Sequence, residues 1–233
     1  MTMYFKDPFI DLRFSQADVV IFDLNGLLVD DEPLQLEATN SVLKRYDINI
    51  TDADWIGRCV GRKPAEYLPS FLSKVRTESP DVDLLIKSKD LKYRELVLNS
   101  GPQLIRPGVI DLLDHINASA KSCALATSTT RDGVITVMKA LGIDMEKYFT
   151  LVISGDQVKA AKPDPEIYNL ARSIFGGSLS YLVFEDSAAG VDAAAAAGMS
   201  CIAVPNHFTR RQDLTKAIVE ITDLTPNAIV TRR

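Results

Sequence analysis

The stretch VVIFDLNGLLVDDEP, residues 19–33, decides how the rest of the chain is read. Val19, Val20, Ile21 and Phe22 run without a polar break, the pattern of a strand buried on both faces of a sheet. Asp23 follows at once, then Leu24, Asn25 and the turn-forming Gly26. A strand covered on both faces belongs to a parallel sheet whose connections are helices. A carboxylate at its carboxyl end is then either a turn residue or an acid held at the edge where open α/β sheets bind ligands.

Four further apolar runs follow: CALAT (123–127), LVIS (151–154), YLVF (181–184) and CIAV (201–204). Amphipathic segments separate them. Residues 131–141 place Val134, Ile135, Val137, Met138 and Leu141 at helical spacing, with Gly142 as C-cap. PDPEIYNLARSIF (163–175) is opened by Pro163 and Pro165 and closed by Gly176 and Gly177. SAAGVDAAAAAG (187–198) ends at Gly198. Strand-helix-strand alternation predicts an α/β, Rossmann-like parallel-sheet core with right-handed crossovers. Between Pro33 and about Gln103 the rhythm stops. Only helical periodicity remains, in LQLEATNSVLKRY (34–46), AEYLPSFLSKV (65–75) and VDLLIKSKDLKYRELVL (82–98). The pattern predicts an inserted α-helical cap domain over 34–102 and a core built from 1–33 and 103–233. IRPGVIDLLDHI (105–116) returns the chain to that core.

The 233 residues suit one core with a smaller inserted domain. A net charge of −5 argues against nucleic acid and anionic membrane as partners, and leaves small phosphorylated anions open, since a local site can be positive on an acidic protein. Cys59, Cys123 and Cys201 are scattered with no CxxC; Cys123 and Cys201 sit inside apolar runs and read as buried thiols, and a reducing cytoplasm fits all three. The start, MTMYFKDPFIDLRF, carries charges where a signal peptide needs an apolar stretch. A cytoplasmic monomer is the expectation.

The polar residues at the strand ends carry the chemistry. Taken singly, each has a plain structural explanation. Asp23 is a turn residue, Thr127 an N-cap, Lys162 a solvated lysine, and Glu185 with Asp186 a helix-start acid pair. Taken together, parallel strands deliver three carboxylates, a lysine and a hydroxyl to one sheet edge. Hard oxygen ligands of this kind suit Mg²⁺ with substrate phosphate oxygens. Lys162 could balance a phosphate dianion, and Thr127 with the next helix's amides could hold its oxygens. Asp23 could attack phosphorus, splitting one hard step into two.

The motifs FDLNGLLVDDEP (22–33), ALATS (124–128), KPDPEIY (162–168) and VFEDSAAGVDAAAAAGM (183–199) resemble, in order, the four motifs of the haloacid dehalogenase superfamily of phosphotransferases. The likeness is to the branch with a helical cap after the first motif, and it covers about residues 17–220. AVPNHFTRRQDL (203–214) is similar to the tail of sugar-phosphate phosphatases and β-phosphoglucomutase-like members. The resemblance implies Asp23 as nucleophile and Mg²⁺ ligand, the Asn25 backbone carbonyl as a second ligand, and Glu185 with Asp186 completing the metal site. It implies Thr127 and the Ser128 amide as phosphate binders, and Lys162 as the balancing charge. VGRKPAEYL (60–68) looks like the cap's specificity loop. Gly61, Arg62 and Lys63 therefore join Gly26 and Ser128 as expected substrate-binding residues, with a solvated-face explanation of Arg62 and Lys63 left open. The implied partner is a small phosphorylated metabolite, most simply a sugar phosphate.

Position 25 departs from the pattern. The family keeps there a second aspartate as general acid/base, and this chain has Asn25. An amide can donate a hydrogen bond to a leaving oxygen but cannot deliver a proton, a function worth roughly 10²–10⁴-fold, or about 3–5 kcal/mol. Three explanations stand: an engineered Asp-to-Asn change, a naturally slow phosphatase or one whose substrate leaves easily, and a non-catalytic phospho-metabolite-binding protein. The retained nucleophile, lysine, hydroxyl and acid pair favour an enzyme scaffold with weakened acid/base chemistry. A hydrolase is expected, with a β-phosphoglucomutase-like phosphomutase as the alternative. Asp31 and Gln35 also depart, standing where relatives carry a small hydroxyl residue and often a histidine.

Overall fold

The computed structural model describes residues 3–73, 75 and 80–232. The chain opens with α1 (Pro8–Gln16), whose first amides are capped by Asp7, and enters β1 (Val19–Phe22). Four helices follow: α2 (Glu32–Leu43), α3 (Asp52–Arg58), α4 (Pro64–Leu72) and α5 (Val82–Ser100). Then come α6 (Val109–Asn117), β2 (Ser122–Ala126), α7 (Arg131–Leu141), α8 (Met145–Tyr148) and β3 (Leu151–Ile153). The chain ends with α9 (Glu166–Phe175), β4 (Tyr181–Glu185), α10 (Ala188–Ala196), β5 (Ser200–Ala203), β6 (Val219–Ile221) and β7 (Val230–Arg232).

The strands form one sheet in the order β3-β2-β1-β4-β5-β6-β7, parallel except for β7. All five apolar runs are strands, and β1 sits inside the sheet between β2 and β4. Its residues divide by parity. Val20 and Phe22 pack with Phe14, Leu112 and Val137 on the side of α1, α6 and α7. Val19 and Ile21 pack with Ile167, Tyr168 and Val191 on the side of α9 and α10. A continuous apolar run is what two buried faces require.

Sequence periodicity misses some elements. α3, β6 and β7 carry too few residues to show a period, and α1, nine residues long, buries only Ile10 and Phe14. α3 is set by its Thr51 cap and its one buried residue, Trp55. The helix expected from Pro163 begins at Glu166, where Asp164 accepts from the Glu166 amide at 2.9 Å. The helix expected over 65–75 ends at Leu72; Lys74 lies outside the described residues. Among the described residues, the segment from α2 to α5 holds helices and no strand. These helices close a separate apolar cluster around Leu43, Trp55, Tyr67, Leu68 and Leu85, joined by Phe208 from the segment after β5. The three cysteines are buried thiols. No described helix is long and apolar enough to cross a membrane.

Candidate active site

Strand register builds the site. Phe22 stands level with Leu125 on one side and Phe184 on the other, so Asp23 leaves the sheet beside Ala126 and Glu185. Lys162 reaches this point from the loop before α9. Its Nζ donates to Asp23 Oδ1 at 2.6 Å, Glu185 Oε1 at 2.6 Å and the Ala126 carbonyl at 3.0 Å. Three donors meet three acceptors, with the lysine side chain only 6% exposed. The surface-lysine explanation is excluded. Glu185 is enclosed: Oε1 also accepts from Tyr168 Oη at 3.0 Å, and Oε2 from the Asp186 amide at 3.1 Å. Gly190 makes room for it, because a Cβ on that first turn of α10 would overlap the Glu185 carboxylate.

Asp186 completes the acid group. Its Oδ2 accepts from Asn206 Nδ2 at 2.8 Å. The same amide donates to the Gly26 carbonyl at 3.2 Å, to which Arg106 also donates at 2.6 Å. Gly26 adopts φ +77, and a Cβ there would overlap Asp186. The turn therefore needs glycine twice over, for its backbone angle and for its closeness to an acid.

Burial disfavours the charged form of each acid, while neighbours split them. Burial pushes the Asp23 carboxyl up to about 7 against the pull of Lys162. Asp186 is raised well above the carboxylate range by burial and by the charges of Glu185 and Asp23. Burial opposes the Lys162 ammonium, yet Asp23 and Glu185 outweigh it and hold its pKa above the ordinary lysine value. At this floor three carboxylates gather around one ammonium, which bonds only Asp23 and Glu185 among them. Ligand oxygens of Asp23, Glu185 and Asp186 lie within 4.8 Å of one another. Two oxygens on one Mg²⁺ stand at most about 4.2 Å apart, given bonds of about 2.1 Å. The trio is all-oxygen, the donor chemistry that a hard divalent cation takes, and its oxygens stand slightly wider than one Mg²⁺ spans.

A cavity of about 250 Å³ opens over this floor. Asp23, Asn25, Thr127, Ser128, Lys162 and Asp186 line it from the sheet side, and Gly61, Arg62 and Lys63 from the helical side. Gly26 and Glu185 lie behind the wall rather than on it, supporting Asp186 and Lys162. Thr127 is not a helix cap: Thr130 caps α7, while Thr127 Oγ1 accepts from the Thr129 amide at 3.1 Å. Asn25 is engaged at both ends. Its Nδ2 donates to Asp31 Oδ2 at 2.6 Å, and its Oδ1 accepts from Thr129 Oγ1 at 2.5 Å. The amide hydrogen bond expected toward a leaving oxygen is thus directed at Asp31 instead.

Several residues of the site were not identifiable from sequence. Asp31, Tyr93, Thr129, Arg106, Asn206 and Tyr168 all position its acids or its turn. Glu32 and Lys89 line the cavity. Glu32 accepts from Trp55 Nε1 at 2.7 Å, and burial followed by the nearby Asp31 pushes its carboxyl up to about 7. Lys89 Nζ donates to Gln35 Oε1, and burial lowers its pKa. Glu32 stands inside the first motif, as the acid of DDEP (30–33), and nothing in the sequence singled out Lys89 on α5.

The profile of the haloacid dehalogenase-like hydrolase family matches residues 20–204, from β1 to the end of β5. The chain belongs to the haloacid dehalogenase-like hydrolase family. Among similar family members, a phosphorylated carbohydrates phosphatase of Thermotoga maritima is 35% identical over 189 residues, 79% of this chain and 83% of that protein. The protein CbbY of Rhodobacter capsulatus is 31% identical over 223 residues, 91% and 96% of the two chains. A crystal structure of a CbbY mutant from Rhodobacter sphaeroides in complex with xylulose-(1,5)-bisphosphate superposes with a TM-score of 0.79 at 25% identity, covering 89% of this chain and 95% of that one. The mostly parallel sheet with flanking helices is the haloacid dehalogenase-like fold.

Proposed function

We propose that the protein is a Mg²⁺-dependent phosphatase of small phosphorylated carbohydrates that works through an aspartyl-phosphate on Asp23. The observation that carries this reading is the Asp23 carboxylate at a strand end, 2.6 Å from Lys162, in a cavity that also holds Thr127, Ser128 and Asp186. The names of the relatives support the carbohydrate part. Helices over residues 34–102 serve as the cap, with Arg62 and Lys63 on the cavity wall available to an anionic substrate.

Asp23, Asp186 and the Asn25 carbonyl, with Glu185 behind them, would hold Mg²⁺, which supplies charge neutralisation for the phosphate. Thr127 and the Ser128 amide orient the phosphoryl oxygens, and Lys162 holds Asp23 in one rotamer while offsetting charge. An Asp23 oxygen forms a bond to phosphorus as the bond to the sugar oxygen breaks, and the sugar oxygen departs with the electron pair and takes its proton from solvent water. Water then attacks the phosphorus, releasing phosphate and restoring the carboxylate. Residue 25 supplies no proton to the departing oxygen, so the scaffold is weaker than one with an acid there.

Phosphate release from a panel of sugar mono- and bisphosphates, with Mg²⁺ or with EDTA, tests the proposal. Mg²⁺-dependent release that is lost in Asp23→Ala supports it, and isomerised sugar phosphate without free phosphate would point to a mutase instead. Absence of any turnover across the panel, with tight binding of the same esters, would overturn it in favour of a binding protein.

A further inference from the structure

Asp31 is fully buried just ahead of α2, and four donors converge on its carboxylate. They are Asn25 Nδ2 at 2.6 Å, Tyr93 Oη at 2.5 Å, Gln35 Nε2 at 3.4 Å and the Gly26 amide at 3.3 Å. A carboxylate only accepts, so the atom of residue 25 that faces Asp31 has to be a donor. The amide orientation follows from this. The NH₂ of Asn25 points at Asp31, and its carbonyl oxygen points toward Thr129 Oγ1, on the cavity side of the turn. A second carboxyl at position 25 would stand at hydrogen-bond distance from the first, inside the protein, and the pair would persist only by taking up and sharing a proton.

We propose that Asp31 is a positioning residue that makes asparagine the fitting residue at position 25, so that the two form one donor–acceptor unit which can be exchanged but not doubled. The unit sits where three parts of the chain meet. Asn25 follows β1, Tyr93 belongs to α5, and Thr129 follows β2. Asp31 therefore ties the helical segment to the turn that carries the expected metal-binding carbonyl, and it sets which end of the amide the cavity receives. An Asn25 introduced into a site built for aspartate would not find a buried carboxylate already waiting for its NH₂. The inference rests on hydrogen-bond geometry and stands apart from the phosphatase proposal.

A cycle of four full-length proteins tests it: the parent, Asn25→Asp, Asp31→Asn, and the reciprocal double variant Asn25→Asp/Asp31→Asn. Thermal unfolding in EDTA at one neutral pH is the readout, and it needs no substrate. Each single variant is expected to unfold roughly 4–10 °C below the parent, because a buried polar group loses its complement in a chain of this size. The double variant, which restores one donor facing one acceptor, is expected to recover at least half of the larger loss. Rescue by exchange is what a merely space-filling role would not produce. In phosphate release, Asn25→Asp alone is expected to be no faster than the parent, and the double variant about tenfold faster than Asn25→Asp. If no protein in the set releases phosphate, the phosphatase proposal fails while the unfolding cycle still decides the pairing. Strictly additive losses, an Asn25→Asp protein as stable as the parent, or a double variant no better than the worse single one would each overturn the proposal.

Discussion

Replacing Glu32 with glutamine removes one proton-binding group from the cavity wall while leaving an oxygen to accept from Trp55 Nε1, now at 2.7 Å. Burial, and next the charge of Asp31, raise the folded carboxyl from 4.5 to about 7. The folded protein therefore binds this proton more tightly than the unfolded chain does. The resulting stabilisation is complete below the unfolded value and is lost as pH rises through the folded one, the reverse of a salt-bridged acid. At roughly 1.36 kcal/mol per pH unit, ionised Glu32 costs the folded state about 3 kcal/mol by pH 8. Glutamine carries no such cost. Urea denaturation in EDTA at pH 5, 6, 7 and 8 should show Glu32→Gln gaining on the parent by about 2.5 kcal/mol between the two extremes. Comparing variant with parent cancels the parallel contribution of Asp23, while Asp31 and Asp186, whose charges interact with that of Glu32, add to the gain in the same direction. A gap that stays constant across this range would mean that Glu32 is as well solvated as in the unfolded chain, and the reasoning would be wrong.

Lys162→Met leaves Asp23 and Glu185 facing each other without a cation, and should cost about 3–5 kcal/mol by urea denaturation at pH 8. Gly190→Ala drives a methyl into the Glu185 carboxylate, and should cost about 1–3 kcal/mol in the same assay while shifting Lys162 away from Asp23. Mg²⁺ at about a hundred times its dissociation constant should stabilise the folded protein by about 2.7 kcal/mol, and Asp186→Asn should abolish that gain.

The sheet and the edge where ligands gather were legible because the strands are continuous apolar runs that stop on polar residues. Asp23, Thr127 and Glu185 stand where the register of β1, β2 and β4 requires. The support behind them was not legible. Asp31 pairs with Tyr93 across a separation of 62 residues, and Asn25 with Thr129 across 104. No local pattern marks such contacts. Asp31 read as a departure of unknown consequence becomes, in the fold, the partner that explains Asn25. Arg106 and Asn206 look like ordinary loop residues until the Gly26 carbonyl that both of them bind is in view. α3, β6 and β7 were missed for a simpler reason, since three to seven residues are too few to display a period.

Rapid acid quench during turnover of a phosphorylated sugar, followed by borohydride reduction and peptide mass spectrometry, addresses the nucleophile itself. Covalent catalysis at the end of β1 predicts reduction of the trapped acyl phosphate to homoserine at Asp23, in Mg²⁺ and in no other peptide. Sustained phosphate release with Asp23 unmodified throughout would contradict it.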